Sequence, residues 1–67
     1  MSKFCVAYIS AFENVLEQHV VEAADWREAL DKAKPGYAES VAHCGNMEAA
    51  MQEAFNQDWN FHVIEIK

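Results

Sequence analysis

The chain has 67 residues, of which 52% are hydrophobic, and a formal net charge of −6. The length predicts one domain, 1–67, and the hydrophobic fraction excludes a disordered chain, while a run of about 20 apolar residues, as a membrane-spanning helix needs, is missing from the sequence. Acidic residues outnumber basic ones by eleven to five, so we expect no direct binding to nucleic acid, which requires clustered cations.

Lys3 to Ala24 is predicted to form a β-hairpin, because two apolar runs flank the turn-like pair Glu13-Asn14. Asparagine tolerates the positive φ that a two-residue hairpin loop needs. Such a loop predicts five cross-strand pairs: Phe12–Val15, Ser10–Glu17, Tyr8–His19, Val6–Val21 and Phe4–Ala23. A longer loop is the alternative, since no glycine follows Asn14.

Side chains alternate between the two faces of a strand, so the hairpin sorts its residues into two sets. The larger residues share one face: Phe4, Val6, Tyr8, Phe12, Val15 and Val21. The smaller ones share the other: Cys5, Ala7, Ile9, Ala11, Leu16 and Val20. Helices approach closely over small residues, so we expect them to cover the small-residue face and to leave the aromatic face partly exposed or in contact with a partner. The reverse assignment is the alternative.

Two helices are predicted after the hairpin. Asp25 followed by Glu28 resembles a capping box, and Pro35-Gly36 ends this first helix. The segment from Gly36 to Gly45 allows only a short helical turn, and Asn46 can cap the second helix. An apolar stripe predicted to face the core follows there: Met47, Ala50, Met51, Ala54 and Phe55.

Phe61 to Ile66 alternates in polarity and predicts a third strand. The least charged strand is the first one, which suits a central position with the third strand beside it. The sequence therefore predicts a single α+β domain of order ββααβ, with a three-stranded sheet of strand order 2-1-3 and two helices packed on one face.

The residues that could carry chemistry do not have the spacing of a known site. Potential metal ligands are Cys5, His19, His43, Cys44 and His62. None of their pairs has the spacing typical of zinc sites, and no glycine-rich phosphate loop or thiolate-activating motif occurs. We expect no metal, no cofactor and no enzymatic activity. We also expect a cytoplasmic protein with reduced Cys5 and Cys44, a single bridge between them being the alternative.

The pattern from Phe4 to Ser10, followed by Phe12-Glu13-Asn14, Val20 to Ala23 and Trp26 to Leu30, resembles small uncharacterised accessory proteins of bacteriophage genomes. The resemblance covers about half of the chain, and its motif is structural. It implies a host-takeover or anti-CRISPR-type inhibitor that binds a bacterial protein in the host cytoplasm. No residue of a functional motif is carried over by it.

Composition and resemblance together predict a non-catalytic, acidic protein-binding module, an inhibitor or adaptor that occludes a basic surface of its target. Such a surface is typical of nucleic-acid-binding proteins, whose phosphate contacts the carboxylates would imitate. The candidate contact residues are Tyr8, Phe12, Glu39, Glu48, Glu53 and Asp58. The alternative is a self-associating module that forms a homodimer through the sheet face or the edge strands.

Overall fold

The computed structural model describes residues 1–66. Within them the elements follow in the order β1 (Ser2–Ser10), β2 (Val15–Ala23), α1 (Trp26–Ala33), α2 (Pro35–Ser40), α3 (Met47–Asn56) and β3 (Trp59–Ile66). The three strands form one antiparallel sheet in the order β2-β1-β3. The predicted α+β class and the strand order 2-1-3 are confirmed, and the short helix α2 occupies the segment for which the sequence predicted only a helical turn.

The β1–β2 connection is longer than the predicted two-residue loop. Ser10 pairs with Val15, so the connection runs from Ala11 to Asn14. Asn14 has the expected positive φ of 56°, but Tyr8 pairs with Glu17 rather than with His19. The predicted pairing is therefore wrong by two residues. A shift of two keeps the side chains of both strands on their predicted faces, because the period of a strand is two. Phe12, predicted on the large-residue face, instead lies in the connection outside β1.

The helices cover the large-residue face of the sheet, so the predicted assignment of the faces is reversed. Phe4, Val6 and Tyr8 are buried, whereas Ile9 on the other face is 49% exposed. Four helix residues are fully buried: Ala29, Leu30, Ala50 and Ala54. Three of these four are alanines, which explains the reversal. The helices themselves supply the small residues that permit close approach, and the sheet supplies the bulk.

The helix boundaries follow the capping residues. The Asp25 side chain accepts a hydrogen bond from the Glu28 amide, and the Asn46 side chain accepts one from the Ala49 amide. The predicted end of the first helix before Pro35 is confirmed, since α1 ends at Ala33 with Lys34 as its C-cap. Pro35 then begins α2, a position where its missing N–H costs nothing. The predicted apolar stripe of α3 is partly wrong, since Phe55 is 67% exposed.

An aromatic cluster fills the space between the helices and the sheet. Tyr37 of α2 stacks on Trp59 with ring centroids 4.3 Å apart, and Trp59 stacks on Phe61 at 5.4 Å. Trp26 of α1 also stacks on Phe61, with centroids 6.2 Å apart. Tyr37 also meets Tyr8 edge to face, with centroids 5.3 Å apart. The cluster joins two helices to two strands, so these elements hold one another in place.

None of the helices in residues 1–66 has the length and apolar character that crossing a bilayer requires.

Candidate protein-binding surface

The sheet face opposite the helices is here called the outer face. Its side chains come from alternate positions of all three strands, in rows such as Val20–Cys5–Ile64 and Leu16–Ile9–Asn60. Five large hydrophobic side chains on this face are exposed: Ile9, Leu16, Val20, Ile64 and Ile66. Leu16, at 78% exposed, is the most accessible of them. The row Gln18–Ala7–His62, polar at both ends, lies between these two rows, and exposed apolar side chains on either side of it are typical of a contact surface.

A cleft opens at the end of the outer face where the β1–β2 connection meets the end of α3. Phe12, 89% exposed, and Phe55, 67% exposed, contribute two exposed aromatic side chains. The cleft has a volume of about 720 Å³, and its other lining residues are Ile9, Ala11, Asp58, Trp59 and Asn60. The cleft continues the apolar outer face, because Ile9 belongs to both.

Carboxylates flank this cleft on the α3 side. Asp58 lines the cleft itself and lies in the α3–β3 turn with a φ of 69°. Glu48 lines a neighbouring depression that shares Phe55 and Asn60 with the cleft. No lysine or arginine of residues 1–66 lines either depression. The apolar cleft therefore has a negatively charged rim.

The sequence-predicted contact residues do not form one site. Tyr8 is only 2% exposed, so its ring is part of the core and not of a contact surface, whereas Phe12 is exposed as a contact residue needs. Glu53 accepts a hydrogen bond from Gln57 and is half-buried. Glu39 lines a cavity between α1 and α2.

The predicted row of carboxylates is therefore divided between different parts of the molecule. Glu48 and Glu53 are five positions apart on α3, which places them about 140° apart around the helix. Glu48 and Asp58 lie beside the cleft, while Glu39 lies among α1 and α2 residues. Two of the four acidic residues thus belong to the surface that the apolar residues define.

Sequence reasoning missed the outer-face residues Leu16, Val20, Ile64 and Ile66 and the cleft residue Phe55. The alternation of β2 placed Leu16 and Val20 on one face of that strand, and the alternation of β3 placed Ile64 and Ile66 on one face of that strand. It did not indicate that the helices would leave this particular face uncovered, and the helical spacing of Phe55 suggested a core position.

The other concentration of titratable groups lies beside the edge of β2 on the sheet face that the helices cover, here called the inner face. The Tyr8 hydroxyl donates to the Glu17 carboxylate at 2.6 Å, and His19 Nε2 lies 3.0 Å from the same carboxylate oxygen and 3.1 Å from the hydroxyl. Burial, followed by the hydrogen bond to Glu17, raises the pKa of Tyr8 to about 12. The hydrogen bond from Tyr8, followed by the one from His19, lowers the pKa of Glu17. These groups satisfy one another and join the strands.

A second buried tyrosine makes a similar contact. The Tyr37 hydroxyl donates to the Glu13 carboxylate at 2.7 Å, and burial is the main reason that the pKa of Tyr37 is raised. Glu13 is thereby held against the inner face, while Phe12, its neighbour in the β1–β2 connection, lines the cleft at the end of the outer face.

The potential metal ligands and nucleophiles remain apart. Cys5 and Cys44 are both free and half-buried. Cys5 lies on the outer face between Val20 and Ile64, and Cys44 packs against the core just before α3. Within residues 1–66, no three side chains of histidine, cysteine, aspartate or glutamate come close enough to hold a metal ion.

Comparison of the chain with protein-family models, with curated proteins and with solved structures found no match.

Proposed function

We propose that this chain is a non-catalytic protein-binding module, an inhibitor or adaptor, that docks through the outer face and its cleft. The proposed partner is a protein whose apolar contact surface is bordered by lysine or arginine side chains. The observation that carries the proposal is the exposure of five large hydrophobic side chains on one sheet face. Burying that apolar area against a partner would be favourable at about 25 cal/mol per Å².

Charge supports the basic character of the partner. Asp58 and Glu48 lie at the rim of the cleft, and the whole chain carries a net charge of −6. Between Lys34 and Lys67 the sequence has no lysine or arginine. An acidic rim around an apolar centre resembles the arrangement of many interfaces, in which apolar contacts provide affinity and charges select and orient the partner.

The shape of the site also supports protein binding. The outer face presents side chains from three strands, and strand-borne side chains need little further ordering when a partner binds. Phe12 and Phe55 stand at one end of this face, where an aromatic pair can enclose an apolar side chain of the partner.

The test is a comparison of immobilised variants in a bacterial lysate, with each captured protein then purified and titrated individually. Ile64→Ser changes the outer face, and Asp58→Asn removes the rim charge while keeping a residue that tolerates a positive φ. Glu39→Gln is the matched control, because Glu39 lies in a different part of the molecule. Titrations at low and high salt then measure the electrostatic part of the affinity.

We expect the affinity of the specific partner to fall tenfold or more with Ile64→Ser. Its affinity for Asp58→Asn should also fall, and its affinity for Glu39→Gln should equal that for the unchanged chain. Raising the salt should weaken binding to the unchanged chain more than binding to Asp58→Asn. Binding that is equal for all three variants would contradict the proposal.

A further inference from the structure

The free side of β2 has features of a pairing edge. β2 is the edge strand of the sheet, and it pairs with β1 through nine consecutive residue pairs without a bulge. All residues from Leu16 to Val20 are exposed. The strand also contains no proline and no lysine. Lysine and other charged side chains, proline and bulges are the usual features that prevent an edge from pairing with another chain, and of these β2 has only the carboxylates of Glu17 and Glu22.

We propose that β2 pairs antiparallel with β2 of a second copy of this chain, in a register centred on Gln18. The two sheets then become one six-stranded sheet with a two-fold axis perpendicular to it through the Gln18 pair. The pairs on either side of the axis follow from the sequence: Leu16 with Val20, Glu17 with His19, and Val15 with Val21, each of one copy with the other. This inference does not depend on the proposed function.

Every pair in this register is chemically matched. Leu16 and Val20 are both outer-face residues and would make an apolar contact, as Val15 and Val21 would on the inner face. Glu17 would face an imidazole of the second copy, and two Gln18 amides can hydrogen-bond to each other. Cross-strand pairs of these kinds stabilise a sheet.

The neighbouring symmetric registers are mismatched. Paired residues of antiparallel strands lie on the same face, so a two-fold axis can only move by whole residues along the strand. A centre at Glu17 would oppose two carboxylates and place Leu16 against Gln18. A centre at His19 would oppose two imidazoles and place Val20 against Gln18. The pattern of the strand therefore selects Gln18.

The end of the free edge is closed by a lysine from α1. Lys32 Nζ donates to the carbonyl oxygen of Glu22, the residue directly after Val21. Pairing with a second copy is thereby limited to the segment from Val15 to Val21, which is the segment with matched pairs. In the pairing, the outer faces of both copies lie on the same side, so the apolar rows containing Leu16 and Val20 continue from one copy into the other.

The first test is sedimentation of the full chain at micromolar to 100 µM concentrations, with two lysine variants. Gln18→Lys places two ammonium groups opposite each other across the proposed axis. His62→Lys is the matched control, because His62 and Gln18 flank Ala7 in the same outer-face row and both are exposed. We expect twice the chain mass for the unchanged protein and for His62→Lys, and a single chain mass for Gln18→Lys.

A monomer for the unchanged protein across this range overturns the proposal. So does a dimer that Gln18→Lys leaves intact, because the contact would then lie elsewhere. A dimer disrupted by His62→Lys but not by Gln18→Lys would assign the contact to the sheet face near β3 and would also overturn it.

The second test measures the register by oxidative crosslinking, with Cys5 and Cys44 both replaced by alanine. Gln18→Cys should form a disulfide-linked dimer, since residues opposite each other in a sheet have Cα atoms about 4.5–5.5 Å apart, within disulfide range. Leu16→Cys should not crosslink alone but should do so when mixed with Val20→Cys. Crosslinking of Leu16→Cys alone, or failure of Gln18→Cys to crosslink, contradicts this register.

Discussion

The Tyr8 hydroxyl donates a 2.6 Å hydrogen bond to the carboxylate of Glu17, which is its direct partner across the β1–β2 ladder. Tyr8 points inward from the central strand and Glu17 lies on the free edge, so this contact joins the core to the rim of the sheet. It also makes the stability of the domain depend on pH at both ends of the scale.

At alkaline pH, the free energy of unfolding should fall as Tyr8 ionises. Its pKa is raised from the usual 10.0 to about 12 in the folded state, so the unfolded chain releases this proton first. The contribution is complete below pH 10 and is lost as the pH rises through 12. Urea unfolding midpoints measured across this range should fall less steeply for Tyr8→Phe. A tyrosinate absorbance titration in which the folded and the urea-unfolded chain coincide would contradict this.

At acidic pH, the same contact acts through Glu17, whose pKa is lowered from its usual 4.5 by the hydrogen bonds from Tyr8 and His19. The stabilising contribution is present above the usual pKa and is lost as the pH falls through the folded-state value. Glu17→Gln should therefore flatten the acid limb of the stability curve. Glu48→Gln is a suitable control, because Glu48 lies beside the cleft and not in this network.

Neighbouring residues of β3 should differ sharply in their tolerance of truncation. Val63 is 5% exposed and faces the helices, whereas Ile64 is 56% exposed on the outer face. Val63→Ala should lower the free energy of unfolding by about 1.5–3 kcal/mol, from two lost methyl groups and a residual cavity. Ile64→Ala should change it by only about 0.5 kcal/mol. If urea unfolding showed equal losses in the free energy of unfolding for the two variants, both faces of the sheet would be covered.

Asn14 should tolerate glycine but not alanine. Its φ of 56° lies in the left-handed region, which costs a residue with a Cβ and no local hydrogen-bonding side chain about 1–2 kcal/mol. Asn14→Ala should therefore lower the free energy of unfolding by about 1 kcal/mol, whereas Asn14→Gly should stay within about 0.5 kcal/mol of the unchanged chain. The reverse order in thermal or urea unfolding would exclude the four-residue connection described above.

Arg27 should control the mobility of the segment before α3. Its guanidinium donates to the carbonyl oxygens of Ala42 and Cys44 and lies over the Trp26 ring, 4.7 Å from the centroid. Arg27→Lys keeps the charge but cannot hold both carbonyls in a fork. A loss of about 1 kcal/mol from the free energy of local opening would make amide hydrogen exchange in the segment before α3 roughly fivefold faster. Exchange at Gly45 should therefore accelerate, while exchange at Val6 in the central strand should not.

The sequence alone determined the order of the elements, the central position of β1 and most helix boundaries. These depend on local information. Asp25 and Asn46 cap helices by bonding to amides three residues away, and Asn14 adopts the positive φ expected of it. The alternation of each strand also sorted its side chains correctly into two sets, since this sorting follows from the geometry of a single strand.

Only the tertiary structure decided which of the two faces is covered. Both faces of β1 are apolar, so alternation could not distinguish the buried set, which includes Val6, from the exposed set, which includes Ile9. The outcome depends on contacts between distant parts of the chain: the small residues of α1 and α3 fit the large sheet face, and Tyr37 and Trp59 stack beside Tyr8. The candidate binding surface is the face that this packing leaves uncovered, and for that reason the residues that form it could not be identified from local patterns.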